Sequence, residues 1–209
     1  MSFEIAGYKW AVNLMLRRLG ILIVALSVSL SWAPESIAQA SDSSDSSEYL
    51  IKAGFIYNFA KFVEWPATSF AQPDSPIVIG ILGTDPFGNL IDRIIENKKI
   101  GARGIVVKRL KWGTDLKDLK ECKILFVGTS EKAHFDDLVQ IVRSLPILTV
   151  GETPGFAERG GVIRFVLEDN RVRFEINVEA ARLADLTISS RLLTLARIIQ
   201  ANVDARKPG

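Results

Sequence analysis

The chain has 209 residues and a formal net charge of +2, from 26 basic and 24 acidic side chains. This near balance of charge, with the basic residues not gathered into a block, excludes a nucleic-acid-binding protein of the usual basic kind. Cys122 is the only cysteine. An internal disulfide is therefore excluded, and stability has to come from the hydrophobic core.

The first forty residues predict a cleaved signal peptide. Arg17 and Arg18 precede an apolar run at 19–30, and the sequence Ala-Gln-Ala at 38–40 is a small-x-small cleavage site. The alternative is a membrane anchor, but the apolar run has about a dozen residues and a spanning helix needs about twenty. We expect a mature chain that begins near Ser41 and works in the periplasm.

The sequence predicts one folded domain after the signal peptide. Residues 41–47 are polar and predict a disordered leader, residues 48–203 form the domain, and residues 204–209 are a C-terminal tail. Without residues 1–40 the chain keeps 169 residues, of which 23 are basic and 22 acidic. This length suits a single hydrophobic core.

An aromatic amphipathic helix is predicted first, over 48–63. Ile51, Phe55, Phe59 and Phe62 recur every three or four residues, as on one helical face, and the Pro66 ring disfavours helix in the residue before it. We expect this face to pack in the core.

Four short apolar runs follow, and they predict β-strands at 77–82, 104–108, 123–127 and 146–150. Three of them are almost continuously apolar, which is typical of parallel strands that are covered on both faces. Helical patterns at 89–96 and 131–144 lie between them. Alternating strands and helices predict a single-domain α/β fold, with a layered, mostly parallel sheet and flanking helices.

A C-terminal β-hairpin is predicted around Asp169-Asn170, a pair that tolerates the positive φ of a tight turn. A two-residue loop places Phe165 opposite Phe174 on one face of the hairpin and Arg164 opposite Glu175 on the other. A helix at 178–184 follows. Ser189 or Ser190 is then expected to cap a last helix, with the apolar stripe Leu192, Leu195, Ile198 and Ile199.

The sequence carries no familiar catalytic motif, and we expect neither enzymatic activity nor a cofactor. His134 is the single histidine, so a metal site is not expected. Cys122 precedes an apolar strand and is interpreted as a small buried side chain. An activated thiolate is the alternative, with Lys120 and Lys123 as the only nearby cations.

Two candidate sites remain. Asp85, Ser130 and Glu152 lie in loops after predicted parallel strands, at the edge where open α/β sheets bind ligands. The alternative interpretation is ordinary turn and cap chemistry. The second candidate is a partner-binding surface on the aromatic helix. Tyr57, Lys61 and Trp65 lie off the expected core face and could anchor a partner, with burial as the alternative.

Five segments carry a family resemblance. They are Tyr-Asn-Phe-Ala-Lys-Phe-Val-Glu-Trp-Pro at 57–66, Ile-Gly-Ile-Leu-Gly-Thr-Asp-Pro-Phe-Gly at 79–88, Cys-Lys-Ile-Leu-Phe-Val at 122–127, the hairpin at 160–177, and Ile-Ser-Ser-Arg-Leu-Leu at 188–193. In this order they resemble the YfiR family of exported bacterial proteins, over about residues 48–199.

The resemblance implies a non-enzymatic periplasmic regulator with one α/β domain. It implies binding and repression of an inner-membrane diguanylate cyclase, and hence lower cyclic di-GMP and less biofilm. It also implies sequestration of the repressor by an OmpA-like outer-membrane lipoprotein. Other membrane sensors, including histidine kinases, are alternative partners, and a homodimer is left open. Many relatives carry a cysteine where this chain has Gly80, placed to pair with the counterpart of Cys122, and this chain lacks that disulfide and any redox control that depends on it.

A second functional class stays open at this point. The chain could be a small-molecule-binding accessory protein of a periplasmic sensor or transport system, with its cleft around Asp85, Ser130 and Glu152. An adjacent gene for a membrane cyclase would favour the regulator. An adjacent transporter gene would favour the ligand binder.

Overall fold

The computed structural model describes residues 38–200, with side chains described from Ser46 onward. The predicted tail and most of the predicted signal peptide lie outside the described residues. The chain divides into two units between Ser43 and Ser44, and apart from the start of the first helix the features below lie in the second unit.

Helices and strands alternate along most of the chain. The helices are α1 (Ala38–Phe62), α2 (Leu90–Ile95), α3 (Leu116–Glu121), α4 (Phe135–Val142), α5 (Val178–Leu183) and α6 (Ser190–Leu193). The strands are β1 (Val63–Glu64), β2 (Ile77–Leu82), β3 (Lys99–Ile100), β4 (Arg103–Leu110), β5 (Cys122–Val127), β6 (Leu148–Gly151), β7 (Ile163–Glu168), β8 (Arg171–Asn177), β9 (Thr187–Ile188) and β10 (Arg197–Ile199). Short 3-10 helices occupy Ala67–Ser69 and Thr129–His134.

Eight strands form one sheet in the order β10-β8-β7-β6-β5-β2-β4-β3. The neighbours from β4 to β7 are parallel, as are β8 and β10, whereas β7–β8 and β3–β4 are antiparallel. Strands β1 and β9 form a separate antiparallel pair. The predicted α/β fold, with a mostly parallel sheet, flanking helices and a C-terminal hairpin, is confirmed.

Both faces of the sheet are covered, which explains the continuous apolar runs. In β2, Ile77, Ile79 and Ile81 point into one hydrophobic cluster, and Val78 and Leu82 point into the other. Successive side chains of a strand face opposite ways, so a strand between two helical layers has to be apolar at every position.

The hairpin forms with the predicted register. Asp169 and Asn170 have φ values of 48° and 59°, and Phe165 pairs with Phe174. Arg164 donates to the Glu175 carboxylate over 3.0 Å. The turn residues and the period-two pattern both fix the same pairing.

Helix α1 differs from the prediction in its start and in its buried face. Its backbone is helical from Ala38, so it includes residues 41–47, which the sequence predicted as a disordered leader. Ile51 was expected in the core but is 47% exposed, whereas Ile56 and Phe59 are fully buried. The helix is apolar almost all round, so its spacing fits two overlapping stripes and packing chooses between them.

The predicted last helix is wrong beyond its first turn. Ser189 caps α6 by accepting a hydrogen bond from the Leu192 amide, but the helix ends at Leu193. Residues 197–199 form β10 instead, and Leu195 is 67% exposed. Strand β8 offers an open edge, and the Arg197 guanidinium pairs there with the buried Glu175 carboxylate, so sheet pairing outweighs the helical pattern.

Candidate functional site: the two ends of the sheet

The loops that carry Asp85, Ser130 and Glu152 lie at one end of the sheet. They follow β2, β5 and β6, which are adjacent and parallel. The carboxyl ends of these strands therefore meet at the same edge, as predicted from the sequence. The structure also shows how each polar side chain at this carboxyl edge is used.

Asp85 organises its own loop. One of its carboxylate oxygens, Oδ1, accepts hydrogen bonds from the amides of Phe87 and Gly88, at 2.7 and 3.2 Å. The other, Oδ2, accepts from Arg109 Nε at 2.8 Å, and the same guanidinium also reaches Asp92. Arg109 has a raised pKa because of its hydrogen bonds to Asp92 and Asp85. Both oxygens of Asp85 therefore have partners within the fold.

Ser130 joins two loops at the carboxyl edge. Its Oγ accepts a hydrogen bond from the Thr84 amide at 2.9 Å and lies 3.1 Å from Glu131 Oε1. Gly83 lies beneath it with a φ of +85°, and a Cβ there would stand 2.3 Å from Ser130 Oγ. The loop after β5 thus rests directly on the loop after β2, and only glycine fits under that contact.

Glu152 is held by helix α1. Its carboxylate accepts from Lys52 Nζ at 2.5 Å and from the Tyr49 hydroxyl at 3.1 Å. Lys52 is only 4% exposed and also pairs with Glu48 at 2.5 Å. The carboxylate thus balances a buried ammonium and fixes the helix over the end of β6.

Aromatic rings fill the space between these groups. The Tyr49 ring meets Phe87 edge-on at 5.6 Å, and Phe87 meets Phe126 at 4.8 Å between centroids. The candidates Asp85, Ser130 and Glu152 share this edge. Their polar atoms nevertheless all have partners within the fold. Asp85 binds Arg109, Ser130 binds the loop after β2, and Glu152 binds Lys52 of α1. None of these three residues lines the cavity at the other end of the sheet, which is described below.

The second candidate surface lies where α1 passes into β1. The Tyr57 ring is half-buried and has the Lys98 ammonium 4.5 Å and the Lys61 ammonium 5.7 Å from its centroid. Lys61 itself is exposed. Trp65 is half-buried, and its indole Nε1 donates to the Lys123 carbonyl at 3.0 Å.

The thiol and the imidazole are both accounted for by packing. Cys122 is fully buried, as the sequence indicated, and burial raises the pKa of its thiol to about 11. The His134 ring stacks on Trp112 with centroids 4.3 Å apart, and its Nδ1 lies 3.1 Å from Glu131 Oε2. Over residues 38–200, no group of three or more His, Cys, Asp or Glu side chains is placed to hold a metal ion.

Sequence reasoning missed a cavity at the opposite, amino-terminal edge of the sheet. Its volume is about 670 Å³, and it lies between the segment that leads into β2 and helix α3. Lys123 lines it and is only 4% exposed. The one signal in the sequence was a charged residue inside an otherwise apolar strand, Cys-Lys-Ile-Leu-Phe-Val.

The fold is an α/β domain, and the polar clusters described at its carboxyl edge connect loops and helices to one another. The chain belongs to the YfiR/HmsC-like family, whose model matches residues 49–197. This membership indicates a regulatory family linked to cyclic di-GMP signalling. No helix in the described part of the chain has the length and hydropathy needed to cross a bilayer.

No curated protein matches the chain. Among solved structures, it is similar to the ABC domain in complex with L-Trp from Streptococcus pneumonia, with 16% sequence identity and a TM-score of 0.44. The likeness covers 59% of this chain and 55% of that one, so the chain spans little more than half of that structure's length.

Proposed function

We propose that the protein is a periplasmic, non-enzymatic regulator that binds and represses an inner-membrane diguanylate cyclase. The observation that carries this proposal is the family match over residues 49–197, which includes nearly all of the described fold. Repression would lower cyclic di-GMP and thereby limit biofilm. We also propose that an OmpA-like outer-membrane lipoprotein competes with the cyclase for this protein.

The contact surface that we propose for the cyclase centres on Tyr57, Lys61 and Trp65. Two of these are aromatic side chains with exposed parts, and both are already ordered by contacts within the domain. Anchors that are fixed before binding lose little conformational entropy on binding. Lys61 adds an exposed positive charge, which suits an acidic patch on the partner.

The first experiment is deletion of the gene followed by measurement of cyclic di-GMP. We expect the level to rise, because a repressor of the cyclase is lost. Complementation with the wild-type gene should restore the low level. An unchanged level after deletion would contradict the cyclase as partner and favour a histidine kinase or the ligand-binding function.

The second experiment tests the surface with matched variants. Tyr57→Ala and Trp65→Ala should each weaken binding by about 2 kcal/mol, which is about thirtyfold in affinity, and should fail to restore repression. Trp112→Ala is the control for Trp65→Ala, since Trp112 is a partly exposed tryptophan on a different face. Lys132→Ala is the control for Lys61→Ala, since both lysines are exposed.

Each variant is first checked for its folded state by thermal unfolding. Full repression by folded Tyr57→Ala, Lys61→Ala and Trp65→Ala would contradict this surface while leaving the repressor function intact. The contact would then have to be sought at the carboxyl edge. Purification of the protein with the periplasmic part of the cyclase, and with the lipoprotein, would test the two partners separately.

A further inference from the structure

The cavity at the amino-terminal edge has an apolar side and a basic side. Phe70, Pro76, Val78 and Leu116 supply apolar surface. Lys117, Lys120 and Lys123 supply three positive charges, against one carboxylate, Glu121. Glu121 is already paired with Lys108, which lies outside the cavity lining. The net charge that faces the cavity is therefore positive.

Lys123 is the central group. Its Nζ lies 3.4 Å from the carbonyl oxygens of Lys120 and Glu121 and 5.3 Å from the Phe70 ring centroid, all of which belong to cavity-lining residues. No carboxylate of the described residues lies within ion-pair distance of it, in contrast to the buried Lys52. The pKa of Lys123 is lowered, chiefly by desolvation, and the neighbouring Arg103 lowers it further.

A buried ammonium without a counter-ion costs stability, because two long hydrogen bonds to carbonyl groups do not replace its hydration. A methionine of similar length would fill the same space without that cost. A second polar group at this edge is also unsatisfied, since the buried Ser69 Oγ has no hydrogen-bond partner. Ser69 lines the same cavity. Perturbed and unpaired polar groups that line one cavity are typical of a binding site.

The wall of the cavity is itself held firmly. The Arg103 guanidinium stacks on the Phe70 ring, with 3.6 Å from its carbon to the ring centroid. It also donates to the carbonyl oxygens of Gln72 and Ser75, at 3.0 and 2.8 Å. The segment that leads into β2 is therefore ordered before any ligand arrives, and the cavity is preformed.

We propose that this cavity binds a small organic anion, a carboxylate on an apolar chain. The carboxylate would accept hydrogen bonds from the Lys123 ammonium and the Ser69 hydroxyl, and the chain would lie against Phe70 and Val78. The exposed Lys117 and Lys120 would attract the anion to the cavity. The Trp65 indole of the proposed partner surface donates to the Lys123 backbone carbonyl, so the cavity adjoins that surface. The inference does not depend on which membrane protein the domain regulates.

The test uses octanoate as the probe, with octanol and inorganic phosphate as controls for the chain and the charge. Calorimetry on the mature chain should show octanoate binding with a Kd of about 1 mM or tighter. Lys123→Met should weaken octanoate binding at least tenfold and leave the weaker octanol binding unchanged. Lys132→Met removes an exposed lysine that follows β5, beyond the strand end opposite to Lys123, and should leave octanoate binding unchanged.

Two further variants keep the test decisive if Lys123→Met does not fold. Ser69→Ala should weaken octanoate binding severalfold, and Ala71→Phe, a larger side chain at an exposed lining position, should block it. The inference is overturned if wild-type protein does not bind octanoate. It is equally overturned if the folded variants bind octanoate as tightly as wild type, or if phosphate alone binds as well as octanoate.

Discussion

The two edges of the central sheet treat buried charge in opposite ways. At the carboxyl edge, the buried Lys52 is matched by Glu48 and Glu152, and Asp85 is matched by Arg109. At the amino-terminal edge, Lys123 is just as buried but has no carboxylate partner, and it faces a cavity of about 670 Å³. The first edge is closed by its own groups, whereas the second leaves a polar group unpaired.

This difference separates polar groups that hold the fold from those that can hold a ligand. A buried charge with partners fixes elements against each other, and its removal leaves the partner uncompensated. A buried ammonium without a carboxylate partner costs stability and is available to an incoming anion. The expectation that α/β sheets bind ligands at the carboxyl edge directed sequence reasoning to Asp85, Ser130 and Glu152, which have partners within the fold.

The largest effect is expected when the closed edge is broken. Glu152→Gln keeps the shape and the Tyr49 contact but removes a charge that Lys52 needs. The free energy of unfolding should fall by about 3 kcal/mol, at the lower end for a broken buried pair because Glu48 remains. Urea unfolding measures it, with the exposed Glu158→Gln as control. A loss below about 1 kcal/mol, as for a surface ion pair, would remove the distinction between the edges.

A medium-sized effect tests whether strand β2, which begins at the amino-terminal edge, is tightly packed against β5. A Cβ on Gly80 would lie 2.7 Å from Cys122 Sγ and 3.0 Å from Leu125 Cδ1. Gly80→Ala should therefore cost about 2 kcal/mol of unfolding free energy through overpacking. Gly54→Ala is the control, because a Cβ there meets nothing within 4 Å and alanine favours the helix.

The contact between position 80 and Cys122 can be tested directly. Combining Gly80→Ala with Cys122→Ala removes the closest clash, so the double variant should lose less stability than the two single losses added together. If the losses of the two single variants are additive, the methyl group added at position 80 does not clash with Cys122, and the sheet next to the cavity is loosely packed.

The smallest effect concerns the amino-terminal edge of the sheet. Lys123→Met should raise the free energy of unfolding by about 1 kcal/mol at neutral pH, because it removes an unpaired buried charge. The gain should shrink as pH rises towards about 10.4, the ordinary pKa of lysine. The pKa of Lys123 is lower in the folded protein than in the unfolded chain. Between these two pKa values the unfolded wild type binds more protons than the folded form, so wild-type stability rises with pH.

The pH series compares Lys123→Met with wild type at each pH, so that groups common to both proteins cancel. Cys122, Glu121 and Arg103 are the neighbours that influence Lys123 electrically and are present in both. A variant that is less stable than wild type at neutral pH would show that the Lys123 ammonium is adequately solvated. The contrast between the edges would then fail.

Local patterns predicted several elements well. Strand β2 was predicted with its observed bounds, and the hairpin with its full register. In both cases the information lies within about a dozen residues, namely an apolar run between turn residues, or a period of two around Asp169-Asn170. The helical pattern predicted at 131–144 likewise contains α4, whose buried residues are Phe135, Leu138, Val139 and Val142.

Where two local patterns compete, the sequence could not choose. Helix α1 has apolar residues on most of its circumference, and contact with the sheet decided that Ile56 is buried and Ile51 exposed. Residues 197–199 fit a helical stripe, but the open edge of β8 made them a strand. The choice in each case depends on a surface made by residues far away in the chain.

The sequence by itself determined four strands of the parallel sheet, the hairpin and the α/β class, because these follow from periodicity and turn chemistry over short windows. Outside the hairpin, where the register already placed Arg164 opposite Glu175, only the tertiary structure decided which polar groups are paired and which are not. Lys52 pairs with Glu152, a hundred residues away in the chain. Lys123 instead lies beside apolar residues of the segment 69–78 and the lysines of α3. The burial of a charged side chain and its pairing depend on residues that are distant in the chain, so a local sequence pattern cannot predict them.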